Sequence, residues 1–327
     1  MKNENFENLK KYSVMVIDID TIDNVRTSVT EYSDRDEFIL SGARLITYEY
    51  AAKRFADLLE KNNIKGTFFF RGIDLNNSMV KKLVSSLHKN GHEIGNHTTN
   101  HYKDLIKLEY KKKFNEIFET HKKIADITGE SPIGYKAPAY LMDLDTYNLL
   151  YELGYKYSAS IQTGLFFIYL QFVVNILYKR NNRFQDMKTL FKAPRKPYNP
   201  YSIIYNMDNK KIIEFPVNVI PLISFPYTLS IIPSSVFFMK IMTKLTQLFN
   251  QLNIIEFHDF EFGTMEEYRD LPKQIVTLQK NYFKKNLKKR LDNYQHLIDF
   301  VKGQNRIITN FKSIVEKKND STELLGR

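Results

Sequence analysis

The segment NGHEIGNHTTNHYKDL, residues 90–105, carries three of the seven histidines of the chain. His97 and His101 form an H-x3-H pair, a spacing that lets two imidazoles bind one ion if a helical turn follows a strand. His92 does not belong to a metalloprotease motif, because Asn96 stands where H-E-x-x-H requires histidine. We therefore expect His92 to be structural, and His97 and His101 to be candidate metal ligands.

Two carboxylates follow one another at alternate positions in VIDID, residues 16–20. If this run is a strand, Asp18 and Asp20 leave it on the same face. A buried strand rarely carries two carboxylates on one face unless a positive charge lies opposite them. In the alternative interpretation, both residues lie just past the end of the strand and cap the following loop.

Taken together, the carboxylates and imidazoles suggest a catalytic metal site. Asp20, His97 and His101 make a set of one carboxylate and two histidines, which leaves coordination positions open for water and substrate. Asp18 is not needed as a ligand and could act as a general base. His258, at the end of the apolar run NIIEFHDF, could donate a proton opposite that base, although a lone buried histidine is more often structural.

Four motifs, in order along the chain, resemble those of polysaccharide deacetylases, the carbohydrate esterases that share the NodB homology domain: DID, GHEIGNHTTNH, GYKAPAY and IEFHD. The resemblance covers roughly 12–162 and 250–315. It implies an irregular (β/α)7-type barrel and hydrolysis of an acetyl group on a sugar, with a divalent metal. By this resemblance the general base is Asp18, the general acid is His258, and the metal ligands are Asp20, His97 and His101.

The third motif, GYKAPAY, supplies the remaining candidate residues. The resemblance implies that the backbone N–H of Ala139 stabilises the oxyanion, and that Lys136 and Tyr140 lie near the substrate. Lys136 stands where the family has arginine, and a lysine is a point charge without a planar fork, so its contact with the base should be weaker. The spacing Asp-Ile-Asp replaces adjacent aspartates, so the roles of Asp18 and Asp20 could be exchanged. In a further motif of the family, matched here by KYSAS at 156–160, Ser158 stands where the family often has an aspartate.

The elements that position these residues follow from hydrophobic patterning. Apolar runs at 12–20, 66–70 and 92–97 predict buried strands, and amphipathic runs between and after them predict helices, one of them over about 103–127. Strands that alternate with helices at this interval indicate parallel βαβ units, and therefore a barrel or an open α/β sheet. We expect a single domain over 1–317, a helical, apolar insertion at about 163–250, and a flexible tail at 318–327.

Composition limits the chemistry. The chain has 327 residues, of which 43% are hydrophobic, and none is cysteine. Disulfides and thiolate metal sites are thereby excluded, so a metal must be held by His, Asp or Glu. Zinc suits such a set best, and iron, cobalt and nickel also accept it. The beginning of the chain has no apolar signal segment, so we expect a cytoplasmic location.

The net charge of +11 raises the question of a charged partner, although a solvated, lysine-rich helix face at 279–295 accounts for much of it. No nucleic-acid motif accompanies it, so we expect no nucleic acid. The stretch 163–178 carries no charge, but a helix of that length spans about 24 Å, short of the roughly 30 Å membrane core. This stretch and 234–249, a helix with Lys240 and Lys244 on one face, are either buried against the barrel or lie peripherally on the inner face of a membrane.

The expected function is metal-dependent removal of an N-acyl group, acetyl or formyl, from a sugar. The apolar stretch 163–178 and the helix 234–249 favour a lipid-linked saccharide or a cell-envelope glycan precursor as the substrate. In addition, DIDT resembles the first motif of enzymes that deformylate a lipid-linked aminosugar. One alternative is hydrolysis of a small amide, as in the allantoinase-like branch of the family. Another is a degenerate domain that binds a saccharide or lipid without turnover.

Overall fold

The alternation of strands and helices in the sequence produces a single parallel sheet. The computed structural model describes residues 9–19, 45–162, 189, 192–219, 236–268, 283 and 286–324. Within these residues the strands are β1 (Tyr12–Asp18), β2 (Thr67–Phe70), β3 (Glu93–Asn96), β4 (Gly134–Tyr135), β5 (Tyr157–Ser158), β6 (Ile213–Glu214), β7 (Asn253–His258) and β8 (Ile307–Thr309).

The strands are ordered β6-β5-β4-β3-β2-β1-β7, and β8 pairs with the first half of β1. Every named pair is parallel. At the end of β1, Asp18 lies opposite Phe69 of β2 on one side and His258 of β7 on the other. The carboxyl ends of these strands therefore meet at one edge of the sheet, where α/β proteins place their sites.

A side-chain amide joins the two ends of the sheet. Asn218, four residues after β6, donates from Nδ2 to the carbonyl of Leu252 at 2.9 Å and accepts from the N–H of Ile254 in β7. The amide of Asn218 thereby substitutes for a strand-to-strand backbone pair between β6 and β7. The irregular (β/α)7-type barrel predicted from the sequence is confirmed.

The helices lie outside the sheet and begin or end at recognisable caps. Asn77 accepts from Met79 N–H at the start of the second helix, Asp143 accepts from Thr146 N–H at the start of the fourth, and Gly129, with φ 80°, ends the third. The helices are α1 (Lys53–Lys61), α2 (Ser78–Lys89), α3 (Tyr110–Thr128), α4 (Leu144–Glu152), α5 (Pro200–Ile203), α6 (Val236–Leu248), α7 (Leu287–Gly303) and α8 (Phe311–Leu324).

Aromatic side chains fill the layer between α1 and the sheet. The ring of Phe55 on α1 packs against Phe68 of β2, Phe257 of β7 and Phe262, with centroids 5.2–5.3 Å apart. These rings are fully buried. Such contacts pack α1 against β2 and β7, the two strands that flank β1 in the sheet.

Two expectations about helices were wrong in detail. The helix predicted over about 103–127 begins only at Tyr110, because Leu108 and Glu109 are extended and a separate short 3₁₀ turn covers Leu105–Lys107. The lysine-rich surroundings of His121 predict a surface residue, but His121 is half-buried, because its ring packs edge-on against Tyr155 at 5.3 Å.

Much of the predicted insertion lies outside the described residues, including the whole of 163–178. Among the helices that the structure describes, none is both long enough and apolar enough to cross a membrane. The domain boundaries stay a prediction, as does the flexible tail at 318–327; α8 ends at Leu324.

Candidate active site

The ends of β1 and β7 bring two carboxylates and an imidazole together. Asp18 and His258 are the last residues of their strands and lie opposite each other in the sheet. Glu256 precedes His258 by two positions and therefore leaves β7 on the same face. Donor atoms of Asp18, Glu256 and His258 lie within 4.8 Å of one another, and all three residues are buried. The register of two adjacent parallel strands thus builds this cluster.

Lys136 supplies the positive charge inside the cluster. It follows β4, and its backbone N–H donates to the carbonyl of Asn96 at 3.0 Å. Its ammonium group lies 2.5 Å from Glu256 Oε2 and 3.1 Å from Asp18 Oδ2, and the side chain is buried. Tyr140 donates its hydroxyl to the other oxygen of Glu256. Glu256 is therefore the common partner of Lys136 and Tyr140.

The two carboxylates of the cluster have opposite pKa shifts. Burial raises the pKa of Asp18, and the charge of Lys136 only partly opposes it. Burial alone would also raise the pKa of Glu256, but the charge of Lys136 and hydrogen bonds from Lys136 and Tyr140 outweigh it, so that pKa is lowered. Glu256 is thus the permanent counter-ion of Lys136, and Asp18 is the carboxylate that more readily accepts a proton.

One oxygen of Asp18 is left for chemistry. Asp18 Oδ1 is buried and has no hydrogen-bond partner among the described residues. Burying such an acceptor costs about 1–3 kcal/mol, and atoms of this kind are concentrated at catalytic sites. Asp18 Oδ2 is held by Lys136, so the carboxylate has a fixed orientation.

His97 and His101 form a pair of buried imidazoles, with ring centroids 4.7 Å apart. His97 Nδ1 lies 2.8 Å from the carbonyl oxygen of Lys136. Because a carbonyl only accepts, this contact places the ring proton on Nδ1 and the lone pair on Nε2. His97 also lies close enough to Asp18 to lower the pKa of that carboxylate.

The backbone between the two histidines is not the helical turn that the spacing suggested. Thr98 and His101 both adopt left-handed conformations, with φ of 62° and 56°. Thr98 N–H donates to Asn96 Oδ1 at 2.8 Å, and His101 N–H donates to Thr98 Oγ1 at 3.1 Å. Left-handed non-glycine residues cost about 1–3 kcal/mol each and concentrate at functional sites.

Helix α3 holds this loop in place through Glu116. Asn100 donates to the two carboxylate oxygens of Glu116 from its backbone and side-chain nitrogens, at 2.8 and 2.5 Å. The carbonyl oxygen of Glu116 accepts from the N–H of Thr99 at 2.9 Å. Two consecutive loop residues are thereby fixed between the two imidazoles.

Two groups of side chains could hold a cation, and the structure favours one of them. In the group Asp18, Glu256 and His258, the ammonium of Lys136 already lies between the carboxylates, so a second cation would face repulsion. The imidazoles of His97 and His101 lie together and are nitrogen donors suited to zinc. Asp20, the third ligand predicted from the sequence, lies outside the described residues.

The turn after β4 also carries two left-handed residues. Ala139 and Tyr140 have φ of 53° and 61°, and Ala137 N–H donates to Ser160 Oγ at 2.8 Å. Consecutive left-handed residues turn the backbone sharply beside Lys136, so that the Ala139 amide lies in the same turn as the side chains bound to Glu256.

Sequence reasoning missed Glu256, which is the hub of the charged cluster. The signal was present, because Glu256 and His258 alternate in IIEFH just as Asp18 and Asp20 alternate in VIDID. Glu214 was missed as well. This buried carboxylate accepts from the N–H groups of Ser160 and Ile161, both at 2.7 Å, and fixes the segment after β5.

Part of the chain is similar in sequence to known proteins. The model of the family described as polysaccharide deacetylase matches residues 46–158. A peptidoglycan deacetylase of Helicobacter pylori is 29% identical over 119 residues, which is 36% of this chain and 39% of that protein. The peptidoglycan-N-acetylglucosamine deacetylase PgdA of Listeria monocytogenes is 32% identical over 84 residues, 25% of this chain and 17% of that protein. The chain thus spans less than half the length of these curated relatives.

A structural similarity extends over more of the chain. A crystal structure from Mycobacterium smegmatis, described provisionally as a polysaccharide deacetylase, superimposes with a TM-score of 0.65 and 14% identity. The match covers 98% of this chain and 95% of the other. At this identity it shows a shared fold, and it includes the strands β6, β7 and β8 that lie beyond the family match.

Proposed function

The chain belongs to the polysaccharide deacetylase family through residues 46–158, and from this premise we propose that it is a metal-dependent hydrolase that removes an N-acyl group, acetyl or formyl, from a sugar. The observation that carries the proposal is that Asp18 and His258 face each other at the carboxyl edge of the sheet, with His97 close to Asp18. A base, an acid and imidazole donors for a metal are the groups that amide hydrolysis requires.

Asp20, His97 and His101 would hold the metal, which we expect to be zinc. The buried imidazole pair and the tautomer fixed at His97 fit such an ion. When bound, the metal supplies Lewis acidity toward the acyl carbonyl.

Asp18 acts as the general base in this proposal. Its Oδ1 atom takes a proton from the attacking water, while Lys136 holds Oδ2 and opposes the effect of burial on the ionised form. A base whose pKa is raised by burial accepts a proton more readily than an exposed aspartate, as general base catalysis requires.

His258 acts as the general acid. It lies across the strand pair from Asp18 and can give a proton to the departing amine, without which the tetrahedral intermediate would return to the amide. Its backbone N–H donates to Glu261 at 3.0 Å, which fixes the end of β7 on which the imidazole stands. The Ala139 N–H would stabilise the oxyanion from the neighbouring turn.

The substrate class is proposed from the similarity to known proteins and from the charge of the chain. Both curated relatives carry peptidoglycan in their names, and the basic chain suits an anionic surface, so a glycan precursor of the cell envelope, free or lipid-linked, is the substrate class we propose. A cytoplasmic location is part of this proposal.

The proposal is tested with purified full-length protein. Metal content is measured by mass spectrometry, and acetate or formate release is measured from N-acylated glucosamine oligomers and peptidoglycan fragments, with and without a chelator. We expect His97→Ala to lower metal content and abolish release, and His258→Ala to retain the metal while release falls at least 100-fold. His296→Ala, an exposed histidine on α7, is the matched control and should retain both.

Three results would contradict the proposal or one of its assignments. Full release by the His258→Ala variant would show that the acid is another group. Saccharide binding without release by the wild-type protein, at full metal occupancy, would show a binding domain instead of an enzyme. Release from a small cyclic amide, with none from any saccharide, would favour the allantoinase-like alternative.

A further inference from the structure

Helix α6 carries large apolar side chains on its outward face. Phe237 and Leu248 are 77% and 76% exposed, and Ile241 between them is 38% exposed. Their spacing, together with Lys244, is i, i+4, i+7, i+11, which places the four side chains in one row along the helix. We call this row the outer face of α6. Phe249, just after the helix, continues the apolar surface.

The opposite face of the same helix is already used by the barrel. Met239, Met242, Thr243 and Thr246 are buried. Helix α6 is therefore apolar on both sides, whereas a helix on the surface of a soluble domain normally presents a polar outer face. A contiguous exposed apolar surface of this kind usually marks an interaction site.

The charged side chains that α6 itself carries are both positive. The helix sequence VFFMKIMTKLTQL contains Lys240 and Lys244 and no acidic residue. Both ammonium groups lie over the ring of Phe300 of α7, at 5.3 and 5.9 Å, which places them along the α7 side of the apolar row. Near the carboxyl end of α6, the backbone N–H of Lys10 donates to Asn250 Oδ1 at 3.3 Å. A further lysine therefore lies close to that end of the helix.

We propose that the outer face of α6 docks on an anionic lipid surface. Phenylalanine and leucine side chains beside lysines are the composition of interfacial helices, which bury their apolar side chains about 5–10 Å into the headgroup region. The lysines attract anionic headgroups, and the net charge of +11 acts in the same direction. A second copy of the chain fits the outer face of α6 less well, because a two-fold contact would bring Lys240 and Lys244 close to the same lysines of the second copy, and the like charges would repel.

The docking surface is tested by sedimentation of the purified full chain with vesicles. The vesicles contain either phosphatidylcholine alone or phosphatidylcholine with 30–40% phosphatidylglycerol, a composition of about one-third anionic lipid. We expect binding to the anionic vesicles only, weakening as the salt concentration rises. Phe237→Ser/Leu248→Ser should lower the partition coefficient at least roughly tenfold, and Lys240→Gln/Lys244→Gln should remove the preference for anionic lipid.

Ile307→Ser is the matched control, since Ile307 is 50% exposed on β8, and it should bind as the wild type does. These variants change exposed side chains, so an unchanged melting temperature verifies that they fold. Failure of the wild type to bind anionic vesicles, or equal binding by Phe237→Ser/Leu248→Ser, would overturn the proposal. So would a dimer in light scattering that this double variant dissociates. Deacylation of a soluble substrate is measured in parallel, so that the docking surface and the proposed function are judged separately.

Discussion

Replacing Lys136 by methionine should destabilise the protein strongly and in a pH-dependent way. The ammonium group is the cation shared by Glu256, at 2.5 Å, and Asp18, at 3.1 Å, and all three side chains are buried. Methionine fills a similar volume but leaves two buried carboxylates whose oxygens lie within 4.8 Å. A buried charge that loses its partner typically costs 3–5 kcal/mol, about the range expected here.

Two arguments give the size of the loss in stability expected for Lys136→Met. Two unit charges 4.8 Å apart repel by roughly 3 kcal/mol at an effective dielectric constant of about 20. The variant can instead protonate one carboxylate, which costs about 1.4 kcal/mol for each pH unit between its ordinary pKa, about 4, and pH 7, or about 4 kcal/mol in total. We therefore expect the free energy of unfolding to fall by about 3–4 kcal/mol at pH 7.

The sign of the pH dependence follows from the same argument. In the variant the folded-state pKa of at least one carboxylate lies above its unfolded value, so the penalty is present at neutral pH and is relieved as the pH falls. In the wild-type protein the pKa of Glu256 is lowered, so its contribution to stability is lost as the pH falls through the acidic range. Both effects reduce the difference in the free energy of unfolding between the wild-type protein and the variant, to about 1–2 kcal/mol at pH 5.

The assay is urea unfolding at pH 5 and pH 7, in chelator, for the single variants and for Lys136→Met/Glu256→Gln. The double variant removes a positive and a negative charge together, and should recover at least about 2 kcal/mol. Lys113→Met is the matched control: Lys113 is also buried, but its partners Asp143 and Asp145 are partly solvated, so the loss should be near 1 kcal/mol. A loss below 1 kcal/mol for Lys136→Met at pH 7, or one independent of pH, would refute the electrostatic account of the site.

Two further predictions concern the frame around the site. Asn218→Ala removes the amide that joins the ends of the sheet, and leaves the carbonyl of Leu252 and the N–H of Ile254 without their partner. Urea unfolding should therefore show that the free energy of unfolding falls by about 1–3 kcal/mol. An unchanged unfolding midpoint would show that the barrel closes by other contacts. Burial lowers the pKa of His92 to about 4, so the unfolded chain binds a proton first and stability falls as the pH drops from about 6.5 toward 4. His92→Gln should reduce that fall, and an unchanged slope between pH 7 and pH 4.5 would exclude His92 as its cause.

The architecture of the site edge could be read from the sequence because it depends on local patterns. A short apolar run that ends in an aspartate, as at Asp18, and another that ends in a histidine, as at His258, predict strands whose carboxyl ends carry polar groups. Parallel βα units then place those ends on one edge. What the pattern did not contain was the pairing of β1 with β7, since adjacency in the sheet depends on which strands close the barrel.

The loop between the histidines was harder to predict for a different reason. The spacing of His97 and His101 is compatible with one helical turn, and helical geometry is the default expectation for such a pair. The structure instead uses left-handed residues, Thr98 and His101, whose conformational cost is met by hydrogen bonds from Asn100 to Glu116 on α3. Those contacts arise from tertiary packing, which the local sequence does not specify.

The lysine in the third motif is best understood together with Glu256. From the sequence, a lysine at position 136 implied a weaker contact with the base, because an ammonium group has no planar fork. The structure shows that the shorter contact of Lys136 is with Glu256, and that Asp18 receives the longer one. A point charge can be shared between carboxylates that arrive from different strands, so Glu256 fixes the lysine while Asp18 keeps one oxygen for proton transfer. On this argument the pair Lys136–Glu256 is one functional unit, and changing either residue alone should disturb the base more than changing both.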